Sequence, residues 1–264
     1  VQQEQLINQI FEQFFFPPHY PTPPTEIPFL EKSYQYDLAY KDVNINVYEW
    51  GETTAEKAIL LMHGWAGRAT QLGYFIQPFL DAGYQVVGFD GTAHGKSGSP
   101  LRPTMRVLEF AEIILALSQK YDFQGLIAHS MGSGAGTIAL GMGAKIQKAV
   151  FIGAPRHFPY RFEQIALKTN LPPELVELLK QKFTAELGAD IWQKASSEYF
   201  APHIKTPALF IHSEDDQELP FQESQYMAKI WGSQTQYSLK QGLGHTRILK
   251  DEKVIKETID FIIN

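Results

Sequence analysis

Five short, nearly continuous apolar runs constrain this chain more than any other feature. They are Ala58 to Met62, Gln85 to Phe89, Gln124 to Ala128, Lys148 to Ile152 and Ala208 to His212. Runs this short and this unbroken suit strands covered on both faces. Helical patterns alternate with them, at about 71–82, 104–120, 131–142, 221–231 and 251–263. In the second pattern, apolar residues at 107, 108, 110, 111, 114, 115 and 117 recur at helical spacing. Strand and helix in alternation predict an α/β fold: a mostly parallel sheet flanked by helices. Ahead of it, Tyr34 to Tyr40 and Val43 to Trp50 flank a Lys41-Asp42 turn and read as an antiparallel hairpin.

Two segments stand outside this rhythm. Residues 1–33 begin with a short amphipathic stretch and then carry Pro17, Pro18, Pro21, Pro23, Pro24 and Pro28, which reads as an arm laid over the body, extended at the prolines. Residues 156–203 hold helical stretches without a strand. There Leu175, Val176, Leu179, Phe183 and Leu187 form one stripe that needs covering. A helical insertion between two core strands is expected to cap one end of the sheet. The core is then 34–155 with 204–264, and 264 residues fit one such domain.

A net charge of −6 argues against nucleic acid or an anionic membrane as partner. The absence of cysteine removes disulfides, thiolate nucleophiles and thiolate metal sites. No apolar stretch reaches the roughly 18 residues of a membrane span. Val1-Gln2-Gln3-Glu4-Gln5 lacks the basic start of a signal peptide, so the expectation is a cytoplasmic chain, though a start at Val1 leaves room for a removed leader.

The chemistry is concentrated in three loops. Ala128-His129-Ser130-Met131-Gly132 follows a buried strand and opens a helix. It reads as the G-x-S-x-G turn that lifts a nucleophilic hydroxyl out of a sheet, with Ala128 in the first small position. A serine that merely caps a helix is the bland reading of such a residue taken alone. Glu214, Asp215 and Asp216 follow a later strand, and Gly242-Leu243-Gly244-His245 precedes the last helix. All three loops lie at carboxyl ends of parallel strands, where open α/β sheets bind ligands. Serine needs a base to become nucleophilic, histidine can take and return that proton near neutrality, and a carboxylate holds the imidazole tautomer. His63-Gly64-Trp65 ends the first core strand, so the backbone N–H groups of Trp65 and Met131 are expected to face a developing oxyanion.

Rival motifs are weaker. Asp90 to Ser97 ends like a P-loop, but its first glycine is missing, Asp90 would repel phosphate, and Pro100 and Pro103 stop a helix. Asp90 is better read as a carboxylate accepting loop N–H groups. Gly134 to Ala139 fits G-x-G-x-x-A but lies inside a helix, with no acid at the ribose offset. His94, His129, His157, His203 and His212 read as structural or positional. None has metal-ligand spacing, so no metal and no cofactor are expected.

The motifs His63 to Arg68, Asp90 to Ser97, Ala128 to Gly132 and Gly244 to Leu249 resemble those of the α/β-hydrolase superfamily. The resemblance runs over nearly the whole chain and is closest to bacterial esterase-like members. It implies hydrolysis without a cofactor, with Ser130 as nucleophile, His245 as general base and Asp216, four residues before Pro220, as the acid. The departures are Ala128, and Ser213 where many relatives have glycine; neither removes a catalytic group. The expected substrate is a small or medium apolar ester. A cofactor-free perhydrolase or a C–C bond hydrolase could use the same triad. A haloalkane dehalogenase would need Asp at 130, and a non-catalytic binding module would be expected to have lost a triad member. Trp65, Tyr74, Phe75, Phe158 and Tyr160 are candidates for an apolar pocket.

Overall fold

A computed structural model describes residues 2–52, 56–159, 162–164 and 170–264. Eight strands form one sheet: β1 (Tyr34–Tyr40), β2 (Val43–Trp50), β3 (Ala58–Met62), β4 (Gln85–Phe89), β5 (Phe123–His129), β6 (Ala149–Ile152), β7 (Ala208–Ser213) and β8 (Thr235–Lys240). Their order is β1-β2-β4-β3-β5-β6-β7-β8. β2 runs antiparallel to both neighbours, and every pair from β4 to β8 is parallel.

The continuous apolar runs are explained by burial on two faces. Leu60, Met62, Val87, Phe89, Leu126, Phe151 and Phe210 point into one core, while Ile59, Leu61, Val86, Ile127, Val150, Leu209 and Ile211 point into the other. The pleat sends successive side chains to opposite faces, so a strand buried twice must be apolar throughout. β8 escaped the sequence reading because it is an edge strand. Its residues are only partly covered, and Thr235-Gln236-Tyr237-Ser238-Leu239-Lys240 carries no continuous run.

On the first face lie α1 (Gln2–Gln13), α4 (Arg106–Lys120) and α5 (Met131–Gly141), labelled after the two short helices α2 (Ile27–Glu31) and α3 (Ile76–Asp81). Helix α2 corrects the expectation of an extended proline segment at its last proline: Pro28 sits in the first helical turn, where its missing N–H is no loss. The helix expected over 71–82 is a 3₁₀ turn, Ala69–Phe75, running into α3. Leu72 breaks the helical dihedrals there, and Gly73 lets Phe29 pack against the backbone.

Chain direction opens the site. From β3 the chain turns to α3 on the second face, and from the adjacent β5 it turns to α5 on the first. Connections that part to opposite faces leave a crevice at the carboxyl ends of the two strands.

In the 156–203 segment, α6 (Pro173–Leu187) buries Leu175, Leu179 and Phe183. This stripe is met by the arm. The Phe183 ring lies 4.7 Å from Phe11, 5.0 Å from Phe14 and 5.4 Å from Phe15. Phe14 also stacks on Phe162 at 4.5 Å. The arm is held elsewhere by Arg68 donating to the Pro21 carbonyl (2.9 Å) and by Trp50 Nε1 donating to the Phe29 carbonyl (2.7 Å).

Candidate active site

Ser130 stands between β5 and α5 with φ 52° and ψ −123°. This conformation is strained for a residue with a Cβ and persists only where packing dictates it. The packing is visible on both sides. A Cβ on Gly132 would collide with the His63 carbonyl, and one on Gly64 would come within 2.9 Å of Ser130 Cβ. Ala128, in the first small position, is fully buried, with Gly136 of α5 beside it. The Ser130 amide donates to the Ile152 carbonyl at 2.9 Å, tying the turn to β6.

His245 Nε2 lies 3.1 Å from Ser130 Oγ, and His245 Nδ1 lies 2.7 Å from Asp216 Oδ2. Asp216 is nearly covered. Its Oδ1 accepts the amides of Glu218 (2.8 Å) and Leu219 (2.9 Å), and its Oδ2 also faces His212 Nε2 at 3.1 Å. Burial opposes its charge, yet the hydrogen bonds from His212 and His245 outweigh this and hold its carboxyl well below the usual range. A carboxylate so placed keeps the Nδ1–H tautomer of His245, leaving Nε2 to accept from the serine.

Asp215 is occupied otherwise. Its Oδ1 accepts from Ser213 Oγ (2.5 Å) and the Gly244 amide (3.2 Å), while Ser213 Oγ accepts the amides of Leu243 (3.2 Å) and Gly244 (3.1 Å). Ser213 thus ties the acid loop to the histidine loop, a use that a glycine there could not supply.

The histidines His63, His94 and His129 are buried, and their ring bonds go to other groups than the Ser130 hydroxyl. Burial, first of all, pushes His129 down to about 3, His94 to about 3 and His63 to about 4. As a neutral ring, His129 donates Nε2–H to the His245 carbonyl at 2.8 Å, which positions the histidine loop. His63 bridges its own loop and the next: Nδ1 donates to the Gly64 carbonyl (2.7 Å) and Nε2 accepts the Gly91 amide (3.0 Å). Asp90 accepts the amides of Ala69 and Lys96 and the Tyr48 hydroxyl, and burial raises its pKa against those bonds. It braces the loops in place of binding phosphate.

Ser130 and His245 open on a cavity of about 250 Å³ that Trp65 and Met131 also line. Met131 is the first residue of α5, so its N–H is one of the helix's unpaired amino-terminal donors. Phe158 lines the cavity, as do Ala195 and Ser197 from farther along the 156–203 segment. Of the other proposed pocket aromatics, Phe75 is fully buried in the second core and Tyr74 packs on Phe29 at 5.4 Å. Both belong to the turn on the far face of the sheet, which sequence spacing could not reveal. Tyr160 lies outside the described residues. Gln13 and Phe14 of the arm, and Arg106, line the cavity and were missed. Arg106 had a signal: it is a charged residue on the buried stripe of α4. Among the described residues, no cluster of three or more His, Cys, Asp or Glu side chains is arranged to hold a metal ion.

A family model described as the alpha/beta hydrolase fold matches residues 57–203, more than half of the chain. The chain belongs to that family. It is 24% identical over 245 residues to YqkD, an uncharacterized protein of Bacillus subtilis (strain 168), across 89% of this chain and 78% of that one. Among solved structures, an esterase of Pyrococcus furiosus superposes with a TM-score of 0.69 at 18% identity, covering 95% of this chain and 97% of that one. A lipase described as putative, from Acinetobacter baumannii AYE, gives a TM-score of 0.68 at 16% identity, over 92% and 97%. At these identities the two structures speak for the fold.

Proposed function

We propose that the protein is a serine carboxylesterase that cleaves small or medium apolar esters through an acyl-enzyme. One observation carries the reading: Ser130 Oγ, His245 Nε2 and Nδ1, and Asp216 Oδ2 form a continuous chain of contacts at 3.1 and 2.7 Å, with its serine end in a cavity. In the first half-reaction Ser130 Oγ bonds to the ester carbonyl carbon while His245 Nε2 takes its proton. The carbonyl oxygen becomes an oxyanion facing the Trp65 and Met131 amides, donors fixed before the charge develops. Collapse breaks the carbon–oxygen bond, and His245 returns the proton to the departing alcohol. Water then enters and gives a proton to His245 as its oxygen bonds to the acyl carbon; the bond to Ser130 Oγ breaks, His245 returns the proton to Oγ, and the acid leaves.

In the same reading, residues 156–203 and the arm act together as the cap that selects the acyl chain and keeps water out. Support comes from the cavity wall, which takes Phe14 from the arm and Phe158, Ala195 and Ser197 from the segment. The experiment is a fluorophosphonate adduct read by intact mass, beside a panel of p-nitrophenyl esters of rising acyl length with amide, lactone and epoxide substrates. An adduct on wild type that disappears in Ser130→Ala, together with ester turnover, is expected. An adduct elsewhere, or turnover confined to a non-ester substrate, overturns the reading.

A further inference from the structure

Asp216 serves two imidazoles at once. Its Oδ2 lies 2.7 Å from His245 Nδ1 and 3.1 Å from His212 Nε2, and among the described residues these two rings alone reach that oxygen. His212 belongs to β7, four residues before the acid, and its side chain is fully buried. His245 gives Asp216 its place in the triad, whereas the proposed reaction makes no use of His212.

The proton on His212 can be placed. Nε2 faces two acceptors, Asp216 Oδ2 and the Leu219 carbonyl at 2.9 Å, so Nε2 is the nitrogen that carries N–H. Asp216 is ionised here: burial opposes its charge, but the bonds from His212 and His245 hold its carboxyl well below the usual range. On its other side the ring meets Ser224 Oγ, 2.6 Å from Nδ1, and Ser224 Oγ accepts the Ala154 amide at 2.9 Å. Ser224 lies on the helix Phe221–Trp231, Ala154 just past the end of β6, and Leu219 in the cavity wall. A ring held from both sides cannot turn away from Asp216.

That N–H has an electrostatic consequence. Its dipole points the positive end at Oδ2 and so towards His245, where positive charge appears when Ser130 gives up its proton. We propose that His212 is a positioning residue of the triad: it fixes the orientation of Asp216 and loosens that carboxylate's hold on the proton of His245, so that His245 acts as base at lower pH than with Asp216 alone. This rests on the esterase reading and adds a fourth side chain to its triad. Other ionisable groups are close to the pair. Glu218 Oε2 is 3.8 Å from His245 Nε2, on the serine side of the ring, and the His129 ring lies 4.7 Å from that of His245. Asp215 is tied to Ser213 and Gly244, with Arg247 3.8 Å away, and Glu223 accepts the Arg156 amide. All of these are common to wild type and to a variant at 212, so a difference between the two reports His212.

The test compares the wild-type chain with His212→Gln, whose amide nitrogen reaches about as far as Nε2, and with His212→Met, which has no side-chain N–H. Two rates are followed against pH in protein shown by circular dichroism to be folded: kcat/KM on p-nitrophenyl esters, and fluorophosphonate labelling of Ser130. In His212→Met the acid limb of both profiles should move up by about 0.5 pH unit or more, part of the roughly one unit that a hydrogen bond to a charged group carries. His212→Gln should bring it back. A loss by the same factor at every pH, with the limb unmoved, overturns the inference and leaves His212 a packing residue. Ester turnover without a limb shift therefore removes the role of His212 alone, and a limb shift in labelling without ester turnover removes the esterase reading alone. Should His212→Met not fold, the resonances of isotope-labelled histidine decide. An Nε2–H signal of His212 that shifts when Asp216→Asn removes the carboxylate charge is expected. A His212 with no proton on Nε2, or with one that ignores Asp216, overturns the inference.

Discussion

Acidification should destabilise this protein well before its carboxylates titrate, because His63, His94 and His129 are held neutral in the folded state. All three are at most 2% exposed, and burial lowers them to about 4, 3 and 3. In the unfolded chain each returns to about 6.5. Below that value the unfolded state binds more protons than the folded state, so stability falls as pH falls. Each site costs about 2 kcal/mol by about pH 5, and three cost about 6 kcal/mol, against a typical total of about 5–15 kcal/mol. Repulsion between His63 and His94 begins only once one of them is charged, so the three add over this window. Asp90 works in the other direction: burial raises its pKa, and it can return at most one proton. The assay is urea unfolding at steps between about pH 5 and 6, where each buried histidine contributes a slope of about 1.2 kcal/mol per pH unit. His94→Gln should reduce the wild-type slope by about that amount, whatever it does to stability at neutral pH. Equal slopes for the two proteins would refute the assignment of His94 as a buried neutral ring.

Asp216→Asn should lower kcat by about 10⁴, because it spoils the His245 tautomer; a loss below tenfold in ester kinetics speaks against the Asp216 contact. Ser130→Ala should lose about 10⁴–10⁶ in kcat, read on the same esters. Gly132→Ala should give little folded protein, since its methyl collides with the His63 carbonyl; a native thermal transition would contradict that crowding. Phe183→Ala should cost about 3–5 kcal/mol and speed proteolysis of the first 16 residues, as its ring holds Phe11, Phe14 and Phe15; unchanged cleavage would show that the arm is anchored elsewhere.

Much of the architecture was legible in the sequence because it is set by local periodicity. A strand buried on both faces must be apolar at every position, so β3 to β7 announced themselves, and the helices between them carried their stripes. Small residues around Ser130 were legible for a similar reason: a sharp turn pressed against His63 and Met62 admits glycine at 132 and little else. The order of serine, acid and histidine along the chain could be read, but the choice among Glu214, Asp215 and Asp216 could not come from these residues alone. It depends on how two loops close on each other, and Ser213 and Asp215 turned out to fasten that closure while Asp216 faces His245. Tertiary structure alone decided the rest. β8 is an edge strand with no buried run to mark it, and Phe75 points to the far core because its turn lies behind β3. The arm covers α6 and enters the cavity wall through Phe14, a contact between residues more than 150 positions apart. Arg106 Nε likewise finds its acceptor in the Phe15 carbonyl of the arm, 91 positions away, whereas its Glu109 partner sits on the next turn of its own helix. Side-chain period is a property of one segment, whereas a donor's partner belongs to whichever segment folds against it.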